Sequence, residues 1–196
     1  MNATDTRERI LGRMFMDIHK NGFQGLRADR VIADLGITKG ALYHYFPSKD
    51  AIGLAVIEEI IEPSYLAFFR NLEQTKGHPI DLLKEHLQEL ADKATQDEIY
   101  LGCPLNNLVQ EMSPLNEDFR QKLKRVMDGM IHYSTLALEQ GLAQGQVKAG
   151  TDCTAVASFM VAGMEGAYGV AKVQRSLSSF HRNIQQLLNY LELFRA

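Results

Sequence analysis

Hydrophobic positions follow the helical repeat over nearly the whole chain. In the first such stretch they fall at i, i+3 and i+4 spacing, at Ile10, Leu11, Met14, Phe15 and Ile18. This spacing buries one face of a helix, whereas a half-buried strand would alternate apolar and polar residues. The sequence shows no sustained alternation and has 5 prolines in 196 residues. The pattern therefore predicts an all-α protein.

Glycine, proline and capping residues divide the N-terminal part into short helices. The predicted helices start after Thr4 and end at Asn21-Gly22, cover residues 28–35 and end at Gly36, and cover 38–46 before Pro47. Ser48 is placed to cap a fourth helix, whose first turn carries Asp50. The second and third helices, joined by a tight glycine turn, have helix-turn-helix proportions. We therefore assign residues 1–50 to an N-terminal three-helix, helix-turn-helix domain.

Residues 51–196 are predicted to form a second, larger helical domain. Helical spacing covers residues 50–75 with a kink or break at Pro63, and then 80–95, 104–113, 116–144, 152–173 and 178–195. We find no internal repeat and no low-complexity tract in the sequence.

The helix predicted over 38–46 has one apolar and one polar side. At about 100° per residue, the core side carries Ala41, Leu42, Tyr45 and Phe46, with Thr38 as the N-cap. The outward side carries Lys39, Gly40, Tyr43 and His44. Lysine can reach a phosphate or a guanine edge, tyrosine and histidine can donate to phosphate, and glycine lets the backbone approach closely. This side suits a DNA duplex, although the same residues could simply cover the surface of a three-helix bundle.

The segment GITKGALYHYFPSKDAI, residues 36–52, closely resembles the DNA-binding signature of the TetR family of transcriptional regulators. The preceding segment GFQGLRADRVIADLG is similar to the same family, though less closely. The resemblance implies a homodimer on double-stranded DNA at a near-palindromic operator, released when a small molecule binds in the C-terminal domain. By position, it places DNA contacts on Thr38, Lys39, Gly40, Tyr43, His44 and Lys49.

The second helix departs from the family pattern in two places. Leu26-Arg27 stands where the family often has Thr or Ser, whose hydroxyl caps the helix. The cap is lost, but Arg27 could supply a stronger phosphate contact. Ile32 replaces the small residue usual one turn later, which predicts altered packing between the two helices within the same fold.

The second domain offers candidates for an effector pocket. Five of the eight methionines lie there, at Met112, Met127, Met130, Met160 and Met164. Flexible thioethers can line a cavity that adapts to apolar ligands, although each methionine could equally fill the core. Tyr133 and Tyr168 are possible polar partners. Asn107 and Gln110 could orient a polar ligand group, with Asn106 and Glu111 beside them, or could face water and cap neighbours.

The last two predicted helices are the candidate dimer interface. Gly163, Gly166 and Gly169 interrupt the helix at 152–173, where each costs about 1 kcal/mol relative to alanine unless something approaches closely. The helix at 178–195 has a broad apolar face, which an intrachain core would explain equally well. In the family these two helices pair with their twofold mates.

Cys103 opens the sharp turn into the helix at 104–113. A thiolate near a helix N-terminus has a lowered pKa and could sense electrophiles or oxidants. A small buried core residue is the alternative, and Cys153 is judged in the same way. Two cysteines without a CxxC and six scattered histidines indicate neither a disulfide scaffold nor a metal site.

Charge and composition are consistent with a DNA-binding end. Residues 1–50 hold eight Lys and Arg against six Asp and Glu, whereas the whole chain has a net charge of −3. No signal peptide or membrane span is evident, so we expect a cytoplasmic protein without a membrane partner. No catalytic set, phosphate loop or cofactor motif appears. The leading hypothesis is a ligand-responsive dimeric repressor; a thiol-based sensor using Cys103, or a small-molecule carrier or enzyme, are the alternatives.

Overall fold

The computed structural model describes residues 3–72 and 76–196, and most of them are helical. The first helices are α1 (Ala3–Asn21), α2 (Ala28–Asp34), α3 (Lys39–Tyr45), α4 (Lys49–Val56) and α5 (Glu62–Phe69). They are followed by α6 (Pro79–Lys93), α7 (Gln96–Leu101), α8 (Pro104–Met112), α9 (Glu117–Ala143), α10 (Cys153–Gln174) and α11 (Leu177–Glu192). Within the described ranges there is no strand beyond an isolated bridge between Val147 and Arg195. The predicted all-α class is confirmed.

Local chemistry sets the ends of the short helices. The Thr38 hydroxyl accepts a hydrogen bond from the Ala41 amide at 3.2 Å, and Ser48 caps α4 through the Ala51 amide at 3.0 Å. Gly36 has φ 68°, a left-handed conformation that side-chain-bearing residues rarely adopt, and it ends α2. Arg27 is the N-cap of α2 but makes no capping hydrogen bond through its side chain.

The helix predicted over 50–75 is interrupted before Pro63. A π-helical segment, Ile57–Ile61, separates α4 from α5, and the Glu62 amide donates to the Ile57 carbonyl five residues back. Proline has no amide hydrogen, so the α-helical ladder cannot continue unbroken through it. The predicted end near Thr75 lies outside the described residues. The sequence prediction did not include α7, which begins with a capping box formed by Thr95 and Glu98.

The chain forms two compact units. The first contains the chain up to Ser64 together with Pro104–Lys124; the second contains Tyr65–Cys103 and Arg125–Ala196. The predicted boundary after residue 50 does not coincide with this division. In the first unit the rings of Phe23 and Phe119 lie 4.7 Å apart. A Cβ on Gly53 would lie 2.5 Å from an atom of each ring, so this glycine lets α4 approach the pair closely.

The second unit is built around α10 and α11, with α6 and α7 packed against them. The apolar face of α11 is buried within the chain itself, at Ile184, Leu187, Leu188 and Leu191. Gly163 serves the same packing, because a Cβ there would lie 3.0 Å from a methyl of Leu187. The intrachain explanation of the leucines, left open by the sequence, therefore holds for the described structure.

Candidate functional site

The outward side of α3 is exposed as the helical spacing predicts. Leu42 and Phe46 are buried, whereas Lys39, Gly40 and His44 are exposed and Tyr43 retains 44% of its accessible surface. Nothing lies within 4 Å of a Cβ added to Gly40. A cation, two hydrogen-bonding rings and bare backbone thus share one accessible surface on a short helix, which we call the α3 surface.

Lys39 has a partner on α2. Its Nζ lies 3.0 Å from Oδ2 of Asp29, and both side chains are exposed. The hydrogen bond from Lys39 to Asp29, together with the charge of Asp29, raises the pKa of the lysine. Exposed ion pairs are weak, so a phosphate can compete for this ammonium.

Two other predicted DNA contacts differ in their surroundings. Arg27 is exposed at the start of α2. Lys49 is half-buried, and its Nζ donates to the Gln24 carbonyl at 3.0 Å and lies 5.1 Å from the centre of the Phe23 ring. In this conformation the ammonium of Lys49 closes the turn between α1 and α2.

Glu111 on α8 also binds the turn between α1 and α2. Its carboxylate accepts hydrogen bonds from the amides of Phe23 at 2.9 Å and Gln24 at 2.7 Å. Of the two interpretations the sequence left open for Glu111, capping of neighbours therefore fits the structure. Its neighbours Asn106 and Gln110 hydrogen-bond to each other at 3.4 Å.

The predicted pocket residues are divided between the two units. Met112, Asn107 and Gln110 belong to the first unit. The other six belong to the second unit. Four of them are buried, Cys103, Met130, Met160 and Met164, and two are half-buried, Met127 and Tyr168. A cleft of about 470 Å³ opens elsewhere in the second unit, beside His78, Pro79 and Gln140, and none of the predicted pocket residues borders it.

A buried polar cluster, which we call the Glu165 cluster, lies in the second unit and consists of Tyr65, Cys103, Glu165 and Tyr168. The Tyr65 hydroxyl lies 3.0 Å from the Cys103 sulfur. Burial raises the pKa of Glu165 to about 7, while the Cys103 thiol opposes part of the rise. Neither carboxyl oxygen has a partner that satisfies hydrogen-bond geometry within the described chain. Burial and the nearby acidic groups also raise the pKa values of both tyrosines.

Sequence reasoning missed Tyr65 and Glu165 as site residues. The available signal was a single acidic residue inside the apolar stretch from Ala155 to Ala171. An acidic residue at such a position must be paired, protonated or reserved for a ligand. Tyr65 gave no comparable signal, because its partner Cys103 lies 38 residues away in the sequence.

Cys153 is the first residue of α10 and is buried. Burial and the charges of Glu139 and Asp152 raise the pKa of its thiol. A raised pKa leaves less thiolate, the reactive form, so its surroundings disfavour a sensor role for Cys153.

One side of α10 remains uncovered. Gly166 and Gly169 are exposed, and a Cβ added to either would meet nothing within 4 Å. Exposed large apolar residues lie on the same helix and at the end of α11, at Phe159, Val170, Val173 and Leu193. An open glycine surface beside apolar side chains is typical of a helix that receives another helix.

The described residues are informative about two further features, metal-ligand clusters and long apolar helices. They contain no group of three or more His, Cys, Asp or Glu side chains arranged to hold a metal ion. In the same residues, no helix combines the length and apolar character needed to cross a bilayer.

Comparison with known proteins relates the N-terminal and the C-terminal parts of the chain to one family. Residues 17–56 match the family of bacterial regulatory proteins, tetR family, and residues 79–187 match the tetracyclin repressor-like C-terminal domain. The chain is 29% identical over 199 residues to an uncharacterized HTH-type transcriptional regulator in the lacX 3′ region of Lactococcus lactis subsp. lactis, covering 97% of this chain and 95% of that protein. It is 26% identical to the HTH-type transcriptional repressor NemR of Escherichia coli K12, covering 95% of this chain and 94% of NemR.

A solved structure agrees with the sequence matches. The crystal structure of reduced E. coli NemR superposes with a TM-score of 0.85 at 27% identity, covering 98% of this chain and 97% of that one. The C-terminal family match alone spans more than half of the present chain. The chain therefore belongs to the tetR family of bacterial transcriptional regulators.

Proposed function

We propose that this protein is a dimeric, ligand-responsive repressor whose α3 surface docks in the major groove of its operator. The observation that carries the proposal is the exposure of Lys39, Tyr43 and His44 on a helix whose opposite side is buried. In a helix-turn-helix protein the second helix of the motif enters the major groove, and two-fold symmetry of the dimer matches a near-palindromic site.

Each contact residue has a distinct role in this docking. Lys39 exchanges Asp29 for a phosphate or a guanine edge, and Tyr43 donates its hydroxyl to a phosphate while its ring lies against sugar or a thymine methyl. His44 donates to phosphate, and Gly40 allows the backbone to approach. Arg27 and Thr38 contact the phosphate backbone beside them.

Lys49 requires a rearrangement to take part. Its ammonium must leave the Gln24 carbonyl and the Phe23 ring before it can reach a phosphate. We therefore assign it a weaker share of the contact energy than Lys39, whose exposed partner is replaced more easily.

Operator binding tests the proposal. The protein should shift DNA from its own upstream region in a gel assay, more strongly at low than at high salt, because phosphate contacts release counterions. Lys39→Ala and Tyr43→Ala should weaken binding while the dimer persists. Lys93→Ala, an exposed lysine paired with Glu89 in the second unit, is the matched control and should bind normally. Failure of the wild type to bind any upstream sequence would refute the proposal.

We assign dimerisation to the uncovered side of α10 together with the end of α11, the helices expected from the sequence at 152–173 and 178–195. Open space at Gly166 and Gly169 allows close approach of a twofold mate. The effector is then a small molecule held in the second unit near Met130, Met160, Met164 and Tyr168. As a regulator of DNA the protein acts in the cytoplasm, without an enzymatic activity.

The thiol-sensor alternative rests on Cys103. This cysteine keeps only 2% of its accessible surface and already contacts the Tyr65 hydroxyl, so reagents do not meet it directly. If Cys103 were nevertheless the sensor, Cys103→Ser would abolish release by electrophiles and leave repression intact. Unchanged release in that variant would dismiss the alternative. Turnover of a bound small molecule would instead favour the carrier or enzyme alternative.

A further inference from the structure

We propose that the Glu165 cluster is the recognition point for a protonated amine on the effector, with Glu165 as the group that pairs with it. The inference deepens the proposed function, because it rests on the effector binding in the second unit. It assigns the effector a chemical class: a small molecule with an apolar body and a cationic, hydrogen-bond-donating head.

The first observation concerns the hydrogen bonding of the buried Glu165 carboxyl group. Glu165 keeps 6% of its accessible surface. Among the described residues neither of its carboxyl oxygens has a partner at hydrogen-bond geometry, and the one nearby group that lowers its pKa is the weakly donating Cys103 thiol. Buried polar atoms in folded proteins are almost always paired, and an unpaired one costs free energy that only a partner recovers. A carboxyl group left in this state is therefore a candidate for a partner that arrives from outside.

The second observation is the neutrality of its surroundings. Two influences shift the pKa of Glu165: burial raises it and the Cys103 thiol lowers it. Neither is a positive charge. The tyrosines of the cluster keep their protons, because burial raises their pKa values. Among the described residues, no cation contributes to the pKa shift of Glu165, which leaves the compensating charge to the ligand.

An ammonium group fits this site better than other ligand groups. It carries the compensating charge, and its N–H bonds can satisfy both unpaired oxygens. The cluster also contains the rings of Tyr65 and Tyr168, and the attraction between a cation and an aromatic ring is strongest where water is excluded. An anionic ligand would repel Glu165, and a neutral hydroxyl would bring a donor without charge.

A purely structural role makes a different prediction. If Glu165 simply stays protonated in the core, glutamine of nearly the same shape should replace it without affecting any ligand. Dependence of ligand binding on the charge of Glu165 therefore separates recognition from packing.

The experiment uses the full-length protein and three matched probes that differ only in the head group: benzylamine, benzyl alcohol and benzoate. Thermal unfolding and titration calorimetry measure their binding at pH 8. We expect benzylamine to raise the unfolding temperature and to bind at least tenfold more tightly than the other two. In Glu165→Gln that preference should fall at least tenfold, whereas Glu89→Gln, an exposed carboxylate on α6, should retain it.

Several outcomes would overturn the inference. These are equal binding of benzylamine and benzyl alcohol by the wild type, no binding of benzylamine, or an unchanged preference in Glu165→Gln. The comparison within the wild type can refute the inference even if the variant fails to fold.

Operator binding separates this inference from the proposed function. If the wild type binds its operator and non-basic compounds release it, the amine site is wrong and the repressor remains. If amines bind but no operator is found, the proposed function fails and the binding site stands.

Discussion

The Nζ of Lys39 donates a hydrogen bond to Oδ2 of Asp29 across 3.0 Å, joining α3 to α2. The residue expected to meet DNA is therefore paired with an anion before DNA arrives. Asp29 also places a negative charge beside the phosphates that α3 is expected to approach. Both effects oppose binding, so we expect the Asp29–Lys39 pair to keep the affinity for DNA below what the cation alone would give.

Asp29→Asn should tighten operator binding several-fold at low salt, because it removes the competing charge and leaves Lys39 available. Lys39→Ala should weaken binding and reduce the slope of log affinity against log salt by about one unit. Gel shifts at four salt concentrations measure both effects. Unaltered affinity in Asp29→Asn would show that the ion pair does not compete with DNA.

Glu111→Ala should destabilise the first unit, because the Phe23 and Gln24 amides lose a charged acceptor. Hydrogen bonds to charged groups contribute about 1.5–3 kcal/mol, and we expect a loss in the lower half of that range at this half-buried site. Urea unfolding measures the change in free energy. Gln110→Ala, an exposed neighbour on the same helix, is the control and should have little effect.

Gly53→Ala should be strongly unfavourable. The added methyl would lie 2.5 Å from atoms of both Phe23 and Phe119, and overpacking of this kind typically costs about 1–3 kcal/mol. Gly12→Ala in α1 meets nothing within 4 Å and should be neutral or stabilising, since alanine favours the helix. Thermal unfolding of the two variants side by side checks the contrast, and equal stability would contradict the tight packing.

The stability of the ligand-free protein should depend on pH through Glu165. Its pKa in the folded state is raised from 4.5 to about 7, so the folded state holds this proton more tightly than the unfolded state. This contribution is fully present below pH 4.5, declines as the pH rises towards 7, and is absent above it. The total is on the order of 3 kcal/mol. The urea midpoints at pH 5 and pH 8 should differ less in Glu165→Gln than in the wild type. The same pH dependence in both proteins would show that Glu165 is not its source.

Gly166→Leu should break the dimer without unfolding the chain. A Cβ there meets nothing within 4 Å in one protomer, and Gly166 is exposed, so we expect the clash of the leucine side chain to come from a second copy. Light scattering should report monomers, while circular dichroism stays helical. Val173→Glu, at a residue 82% exposed, places a charge on the same helix and should weaken association in the same way. Intact dimers in both variants would place the interface elsewhere.

The short helices were predictable because their boundaries are set by local chemistry. Thr38, Ser48 and Gly36 act on backbone groups within three or four residues, so their effects can be read from neighbouring letters. The outward and inward sides of α3 followed from helical geometry alone. The missed helix α7 had a readable signal in Thr95 and Glu98, which form its capping box.

The polar sites could not be derived because their partners are distant in sequence. Lys49 contacts a carbonyl 25 residues away, and Glu111 contacts amides 88 and 87 residues away. Helical spacing shows that a residue faces inward but not which residue it meets. Glu165 was therefore visible as an anomaly in α10, and Cys103 as a candidate thiol, but their proximity to each other and to Tyr65 could not be derived.

The contacts of Phe119 and Glu111 with Phe23 have a consequence for synthesis on the ribosome. The first unit combines the chain up to Ser64 with Pro104–Lys124, and the intervening residues, Tyr65–Cys103, belong to the second unit. When its first 50 residues emerge, the aromatic partner and the carboxylate of the α1–α2 turn have not yet been translated. The DNA-binding end of the nascent chain must therefore wait for α8 and the start of α9 before it can complete its core.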